Sequence, residues 1–301
     1  MITIIITSYN EPKATERAVN IFLKQKSKEE FKIILVDPFS EVEKYIKKNI
    51  KTKNIEFFLD PGEGKSYALN LLLEMTYSNN KDDILVFTDG DVFVSGNAIE
   101  ETMKAFKDKK IGCIIGKPVS IDERSTRYLF WADVAFKGID RVRKRFSKER
   151  KFFECSGYFF AIRNGVIKEF PLDASEDSII PYLFWKKGYK IYYADKIEVY
   201  VKNPNNWKDY ISQKIRNVKG HENLNKIAPD MPRTKSLSNE IRYGAFFVLS
   251  QIRSVKEFFW AVEFYFVRLY IYIKAFRELK QHKEYSDGWR ETEIKSAKPL
   301  D

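Results

Sequence analysis

Only two cysteines occur in 301 residues, so a disulfide framework is excluded. Cys113 and Cys155 lie too far apart in sequence for the short spacing of a cysteine metal motif. Histidine is as scarce: His221 and His282 have no partners at ligand spacing, and both are read as structural. No run of 18 or more apolar residues exists, which speaks against a spanning helix. The first residues, Met1 to Ile6, have no basic stretch ahead of them and run into a polar turn, so no secretory signal is expected. The expected location is the cytoplasm. What the chain does have is 44% hydrophobic and 15% aromatic residues, enough for a large core despite 32% charge.

The net charge of +11 is unevenly spread. Residues 1–100 carry 13 Lys and Arg against 16 acids, whereas residues 101–301 carry 40 against 26. The second part is therefore expected to meet something anionic, unless it is simply a solvated basic surface.

Short apolar runs alternate with amphipathic stretches in the first half. Ile2–Thr7, Phe31–Val36, Ile55–Leu59 and Ile84–Thr88 read as strands buried on both faces. Helices are expected over Pro12–Lys26, Ser66–Met75 and Asn97–Lys107. Strand–helix alternation of this kind predicts a mostly parallel α/β sheet, with ligands bound beyond the carboxyl ends of its strands. Further on, Ile111–Gly116, Phe159–Arg163, Tyr189–Ala194 and Glu198–Val201 read as strands. Thr126–Lys148, Ser175–Lys187 and Asn206–Lys219 read as helices. The Pro/Ser/Asn-rich stretch Ala228–Asn239 marks the best boundary, dividing a domain of about residues 1–225 from a helical, aromatic-rich extension, 226–301. Within Ile241–Lys280, the side chains of Phe258, Val262, Tyr265, Leu269, Tyr272 and Phe276 share one helical face. That face either packs on its own domain, lies in a membrane interface or meets another copy.

The strongest chemical element is Asp89-Gly90-Asp91 at the end of an apolar run. Two carboxylates one residue apart suit a hard cation bridged to a diphosphate. Glu176-Asp177 opens a helix, where acids complement the dipole, but a helix start at a cleft rim also mounts a general base well. Gly62-Glu63-Gly64-Lys65-Ser66 is no Walker loop, because that motif needs glycine where Leu59 stands. A glycine turn leading into a helix with Lys in its first turn is still suited to an anion. Gln213 and Arg216 share a helix face at i, i+3.

Six elements then occur in order: Ser8-Tyr9-Asn10-Glu11-Pro12, Val36-Asp37, Gly64-Lys65-x4-Asn70, Asp89-Gly90-Asp91, Glu176-Asp177 and Gln213-x-x-Arg216. Together they resemble the family 2 glycosyltransferases of GT-A fold, relatives of the cellulose and hyaluronan synthases among them, over about residues 1–222. The resemblance implies a Rossmann-like, mostly parallel sheet flanked by helices, here followed by a C-terminal helical extension. It implies inverting transfer of a sugar from a nucleoside diphosphate donor, with Mg²⁺ or Mn²⁺ as cofactor. Carried over by position, Tyr9, Glu11 and Asp37 line the nucleoside pocket, with Asp37 reading the base. Lys65 lies near the nucleotide and Asp89 and Asp91 face the donor, Asp91 as the more direct metal ligand. Asp177 takes the proton of the acceptor hydroxyl, and Arg216, with Gln213, steadies the leaving diphosphate.

Two departures bear on the product. Asn217 stands where the synthases usually have Trp after the Arg, and their spanning helices have no counterpart, so single-sugar transfer is expected rather than polymer extrusion. Asp37 is followed by Pro38-Phe39-Ser40 instead of a second acid; a UDP-sugar is preferred to a GDP-sugar as donor. The expected acceptor is a hydroxyl or phosphate on a glycan or lipid carrier, with peripheral contact to the cytoplasmic face of a membrane and no nucleic-acid partner. A sugar-phosphate nucleotidyltransferase would need a glycine-rich loop within Thr7–Glu11, and there is none. A non-catalytic binder of anionic polymers would leave the Asp89, Asp91 and Asp177 placements without a reason.

Overall fold

The structure, a computed structural model, describes residues 1–281 apart from Lys28, Asp173 and Lys235. His282 thus lies outside the described residues. The N-terminal half runs β1 (Ile2–Thr7), α1 (Pro12–Leu23), β2 (Phe31–Asp37), α2 (Ser40–Asn49), β3 (Ile55–Leu59), α3 (Lys65–Met75), β4 (Ile84–Asp89), β5 (Phe93–Val94) and α4 (Ala98–Phe106). It continues through β6 (Ile111–Ser120), α5 (Arg127–Lys148), β7 (Phe159–Arg163), α6 (Glu176–Lys186) and β8 (Lys190–Val201). Three helices follow among the described residues: α7 (Trp207–Ile227), α8 (Leu237–Ser250) and α9 (Val255–Lys280).

Among the described residues the strands form one eight-stranded sheet in the order β3-β2-β1-β4-β7-β6-β8-β5. β3, β2, β1 and β4 are mutually parallel, β7 is antiparallel to both neighbours, and β6 pairs in parallel with β8. Alternation along the strands builds two cores. Ile2, Ile4 and Ile6 pack with Val19, Phe22, Val42 and Ile99 on one face. Ile5, with Leu85 and Phe87, packs against Leu69, Leu72 and Ile180 on the other. Each isoleucine of β1 thus meets one core or the other. β3 departs from the expected full burial, because it is the sheet's edge and leaves Leu59 exposed.

A third core is helical. Trp131 on α5 is fully buried among Tyr210, Phe264 and Ile271, and its Nε1 donates to the Trp260 carbonyl at 2.7 Å. The aromatic-rich stretch Ile241–Lys280 holds two helices, separated at Gln251–Ser254, where the Ser254 hydroxyl caps α9 by accepting from the Glu257 amide. α8 starts inside the stretch read as a boundary, with Ser236 as its cap. No described helix is long and apolar enough to cross a membrane.

Candidate active site

The register pairs Thr7 with both Val36 and Asp89, so Ser8–Glu11, Asp37 and Asp89–Asp91 leave the sheet at one level. After β1 the chain turns towards β2 on one side while β4 lies on the other, and connections that diverge in this way are where open α/β sheets bind ligands. β7 approaches from the opposite direction with Phe159 beside Thr88, which brings Gly157 and Tyr158 to the same edge. The Asp89–Asp91 turn needs its glycine. Gly90 donates to the Thr7 carbonyl at 2.8 Å, and a Cβ there would stand 3.0 Å from Ser8 Cβ and 3.2 Å from Thr15 Oγ1.

Lys65 sits at the first position of α3 behind Gly64, whose φ of 103° is open to glycine. Its Nζ bonds Asp89 Oδ1 at 2.7 Å and Glu176 Oε1 at 2.9 Å, tying α3, β4 and α6 together. Thr7 Oγ1 also donates to Asp89 Oδ1, at 3.0 Å. Burial works against the Lys65 charge, but the two carboxylates outweigh it and raise its pKa above the ordinary 10.5. Gly157 lies over this triad: a Cβ there would be 3.7 Å from Glu176 Oε1 and 3.8 Å from Lys65 Nζ.

Asp91 is held differently. Burial and repulsion from Asp89 and Glu11 push its pKa up to about 7, against only partial relief from Lys65. Its ordinary value is 3.8, so between about pH 4 and pH 7 the folded protein binds a proton that the unfolded chain releases. The stability cost of Asp91 therefore grows as pH rises through that window and is complete above it. Asp91→Asn is expected to raise the melting temperature of the ligand-free protein by a few degrees at about pH 8, with the gain shrinking towards about pH 5. Scanning calorimetry at the two pH values checks this, and a variant melting below wild type at the higher pH contradicts it.

Asp177 stands in the first turn of α6, as expected, beside Glu176. Its Oδ1 accepts from Ser175 Oγ at 2.5 Å and from Ser178 Oγ at 3.3 Å, and its Oδ2 from the Gly157 amide at 3.2 Å. Ser175 therefore orients the carboxylate instead of capping the helix backbone. Behind it, the buried Glu154 carboxylate accepts from Ser178 Oγ at 2.6 Å and Thr234 Oγ1 at 2.5 Å, with His221 Nδ1 at 3.1 Å. His221 is thus a packing partner of Glu154, in keeping with a structural role.

Asp37 is buried at the end of β2, and its carboxylate is used by its own chain. Oδ2 accepts from Ser8 Oγ at 2.6 Å and the Asn10 amide at 3.0 Å, and Oδ1 from the Phe39 amide at 2.8 Å. These bonds shape the Ser8–Glu11 turn, in which Asn10 takes a left-handed φ of 53°. Tyr9 is exposed beside it, edge-on to Phe39 at 5.2 Å.

Tyr158 marks where the halves of the site meet. Burial and the charges of Asp91, Asp89 and Asp177 raise its pKa, and Arg216 on α7 opposes them. Tyr158 thus feels charges carried by the Asp89–Asp91 turn, α6 and α7. Gln213 is half-buried one turn before Arg216 on α7. Sequence reasoning missed Tyr158, Glu154 and the bonding of Lys65 to Glu176. Only Glu176 carried a signal, its place next to Asp177.

The donor set at the carboxyl edge is all hard oxygen. Among the described residues no group of three or more His, Cys, Asp or Glu encloses an ion. Asp89 and Asp91 fit a divalent cation whose remaining ligands arrive with a phosphorylated substrate, since their mutual repulsion is what a cation relieves. Residues 1–220 match the family model described as glycosyltransferase-like family 2. No curated protein matches the chain.

Proposed function

The chain belongs to glycosyltransferase family 2 and has the mixed α/β architecture of the GT-A fold, and from this premise we propose an inverting transfer of one sugar from a nucleoside diphosphate donor. Residues 1–225 are the transferase domain in this reading, and 226–301 an extension. The donor is a UDP-sugar, and the acceptor a hydroxyl or phosphate on a glycan or lipid carrier.

The observation that carries the proposal is the meeting at Gly157 of Asp89, Lys65 and Glu176, within 4 Å of where its Cβ would stand, with Asp177, whose Oδ2 accepts from the Gly157 amide at 3.2 Å. The nucleoside lies along Tyr9, Glu11 and Asp37, with the Tyr9 ring exposed for stacking. Asp37, whose oxygens already hold the Ser8–Glu11 turn, shapes this pocket whether or not it also meets the base. Asp89 and Asp91 would hold Mg²⁺ or Mn²⁺, Asp91 more directly because Asp89 is shared with Lys65 and Thr7. The bound cation supplies neutralisation of charge growing on the departing diphosphate.

Asp177 accepts the proton of the acceptor hydroxyl as its oxygen forms a bond to the sugar's C1 carbon and the C1–O bond to the diphosphate breaks. Its three hydrogen bonds fix the carboxylate's direction, so little ordering remains for the reaction itself. Arg216, with Gln213, stands behind the leaving oxygens, where fixed positive charge is most effective. Lys65 holds Asp89 and Glu176 in place and is too deeply paired to serve as a free cation.

Direct displacement inverts the anomeric centre, and slow transfer to water tests this without a known acceptor. With an α-linked UDP-sugar and Mn²⁺, proton NMR is expected to find the β-anomer as the first free sugar. The α-anomer as first product contradicts single displacement.

A further inference from the structure

The two last helices leave apolar surface without a partner in the described chain. α9 packs on its neighbours through Ala261, Val267, Ile271 and Ala275, which are buried. The side read from sequence as its apolar face is largely turned outwards. Phe259 and Phe266 are 65% and 70% exposed, and Phe258, Leu269, Ile273 and Phe276 are exposed with them. Spacings of three, four and seven residues make these one stripe along a 26-residue helix, about 39 Å long. On α8, Phe246 is 87% exposed. Such a surface is larger than scattered apolar residues produce and marks an interaction face. It is not a spanning segment, because no described helix is apolar enough to cross a bilayer.

The charge beside this surface is predominantly positive, although Lys144 pairs with Asp140 and Arg145 with Glu149. Residues 137–151 carry eight Lys and Arg against two acids, and Arg141, Lys144, Arg145 and Lys148 are exposed on α5. This basic face meets α8 directly: the Arg141 guanidinium lies 5.5 Å from the Phe247 ring centre and that of Arg145 5.9 Å from Tyr243. Between the two helices is a cleft of about 430 Å³ lined by Lys137, Asp140, Arg141, Lys144, Phe247 and Gln251. On α9 the cations sit at the margins, with Lys256 4.7 Å from the Trp260 ring centre and Arg277 and Lys280 in the last turn.

We propose that the α8–α9 face docks on an anionic lipid bilayer, the aromatic stripe lying in the interface plane and the α5 cations resting on the headgroups. An apolar element and a basic patch on one protein give firmer attachment than either alone. The inference goes beyond the transferase reading and does not depend on it, since only surface apolarity and charge enter.

Flotation with phosphatidylcholine vesicles, with and without a phosphatidylglycerol fraction, tests it at low and high salt. The full chain is expected to float with the anionic vesicles and to come off as salt rises. Phe259→Glu with Phe266→Glu is expected to weaken partitioning at least about tenfold on both vesicles. Arg141→Glu with Lys148→Glu is expected to remove only the preference for anionic lipid and its salt dependence. Circular dichroism melts monitor the fold of each variant, and the salt series on wild type needs no variant at all. Absence of flotation with either vesicle overturns the proposal. So does equal, salt-insensitive flotation with both. A dimer seen by light scattering that the two Phe substitutions dissolve, without vesicle binding, assigns the face to a second copy instead. Donor binding, measured separately, leaves each of these outcomes unchanged.

Discussion

Asp177→Asn is expected to lower the transfer rate between about a hundredfold and ten-thousandfold while donor affinity stays within about twofold of wild type. The substitution changes one oxygen to an amide nitrogen and removes the proton acceptor with little change of volume. The new amide also faces two hydroxyl donors and the Gly157 amide, so one existing hydrogen bond is lost or must reverse. Hydroxyls reverse readily, and a stability loss of about 1 kcal/mol bounds that cost. A large loss of rate in a protein that still binds donor separates the base from a mere packing role. Single-turnover kinetics with saturating donor makes the measurement, and a rate near wild type removes Asp177 from the chemistry.

The second large effect concerns stability. Lys65→Met leaves Asp89 and Glu176 facing each other with Asp91 and Glu11 nearby and no cation between them. Breaking a buried pair by removing one partner costs about 3–5 kcal/mol, because the stranded charge stays desolvated. With its pKa raised above 10.5, Lys65 contributes its stabilisation throughout the range below that value and loses it only at higher pH. The deficit of the variant follows the opposite partners. As pH falls the stranded carboxylates take up protons, so the difference from wild type should narrow in acid. Lys65→Met with Glu176→Gln should recover part of the loss. Urea denaturation at several pH values tests both statements, and a variant as stable as wild type at neutral pH contradicts them.

Much of the sheet was legible because its strands are buried on both faces and read as unbroken apolar runs, as Ile2–Thr7 and Ile84–Asp89 do. β5 was not legible: two residues, Phe93 and Val94, carry no period, and only pairing with Tyr200 and Val199 makes them a strand. α2 escaped notice since only Val42 and Ile46 are buried in a Lys- and Glu-rich segment. The two strands read in Tyr189–Val201 are a single β8, because the polar Asp195 and Lys196 fall where its pairing with β6 slips register. In the site, the acids could be picked out by their position after strands or at a helix start. Their bonding could not, since Lys65 meets Glu176 across 111 positions of sequence and Ser178 meets Glu154 across 24.

α9 illustrates a different limit. Four of its phenylalanines, Phe258, Phe259, Phe266 and Phe276, are exposed, while Ala261 and Ala275 are among the residues in contact, as close helix packing favours small residues. Periodicity identifies an apolar stripe but does not say whether protein or solvent lies against it. Of the six residues read as one face, Tyr272 is buried and Tyr265 packs on the helical core, whereas Phe258, Val262, Leu269 and Phe276 are exposed.

The central claim is that the carboxyl edge of β1, β2 and β4 binds a nucleotide-sugar together with a divalent cation. A ligand that binds only the folded protein raises its melting temperature, so a thermal-shift panel of UDP-, GDP-, CDP- and ADP-based ligands with and without Mn²⁺ tests it without an acceptor. A Mn²⁺-dependent shift with uridine ligands that Asp91→Ala abolishes is the expected result. No shift with any nucleotide from the folded wild-type protein, or an undiminished one in Asp91→Ala, would contradict it.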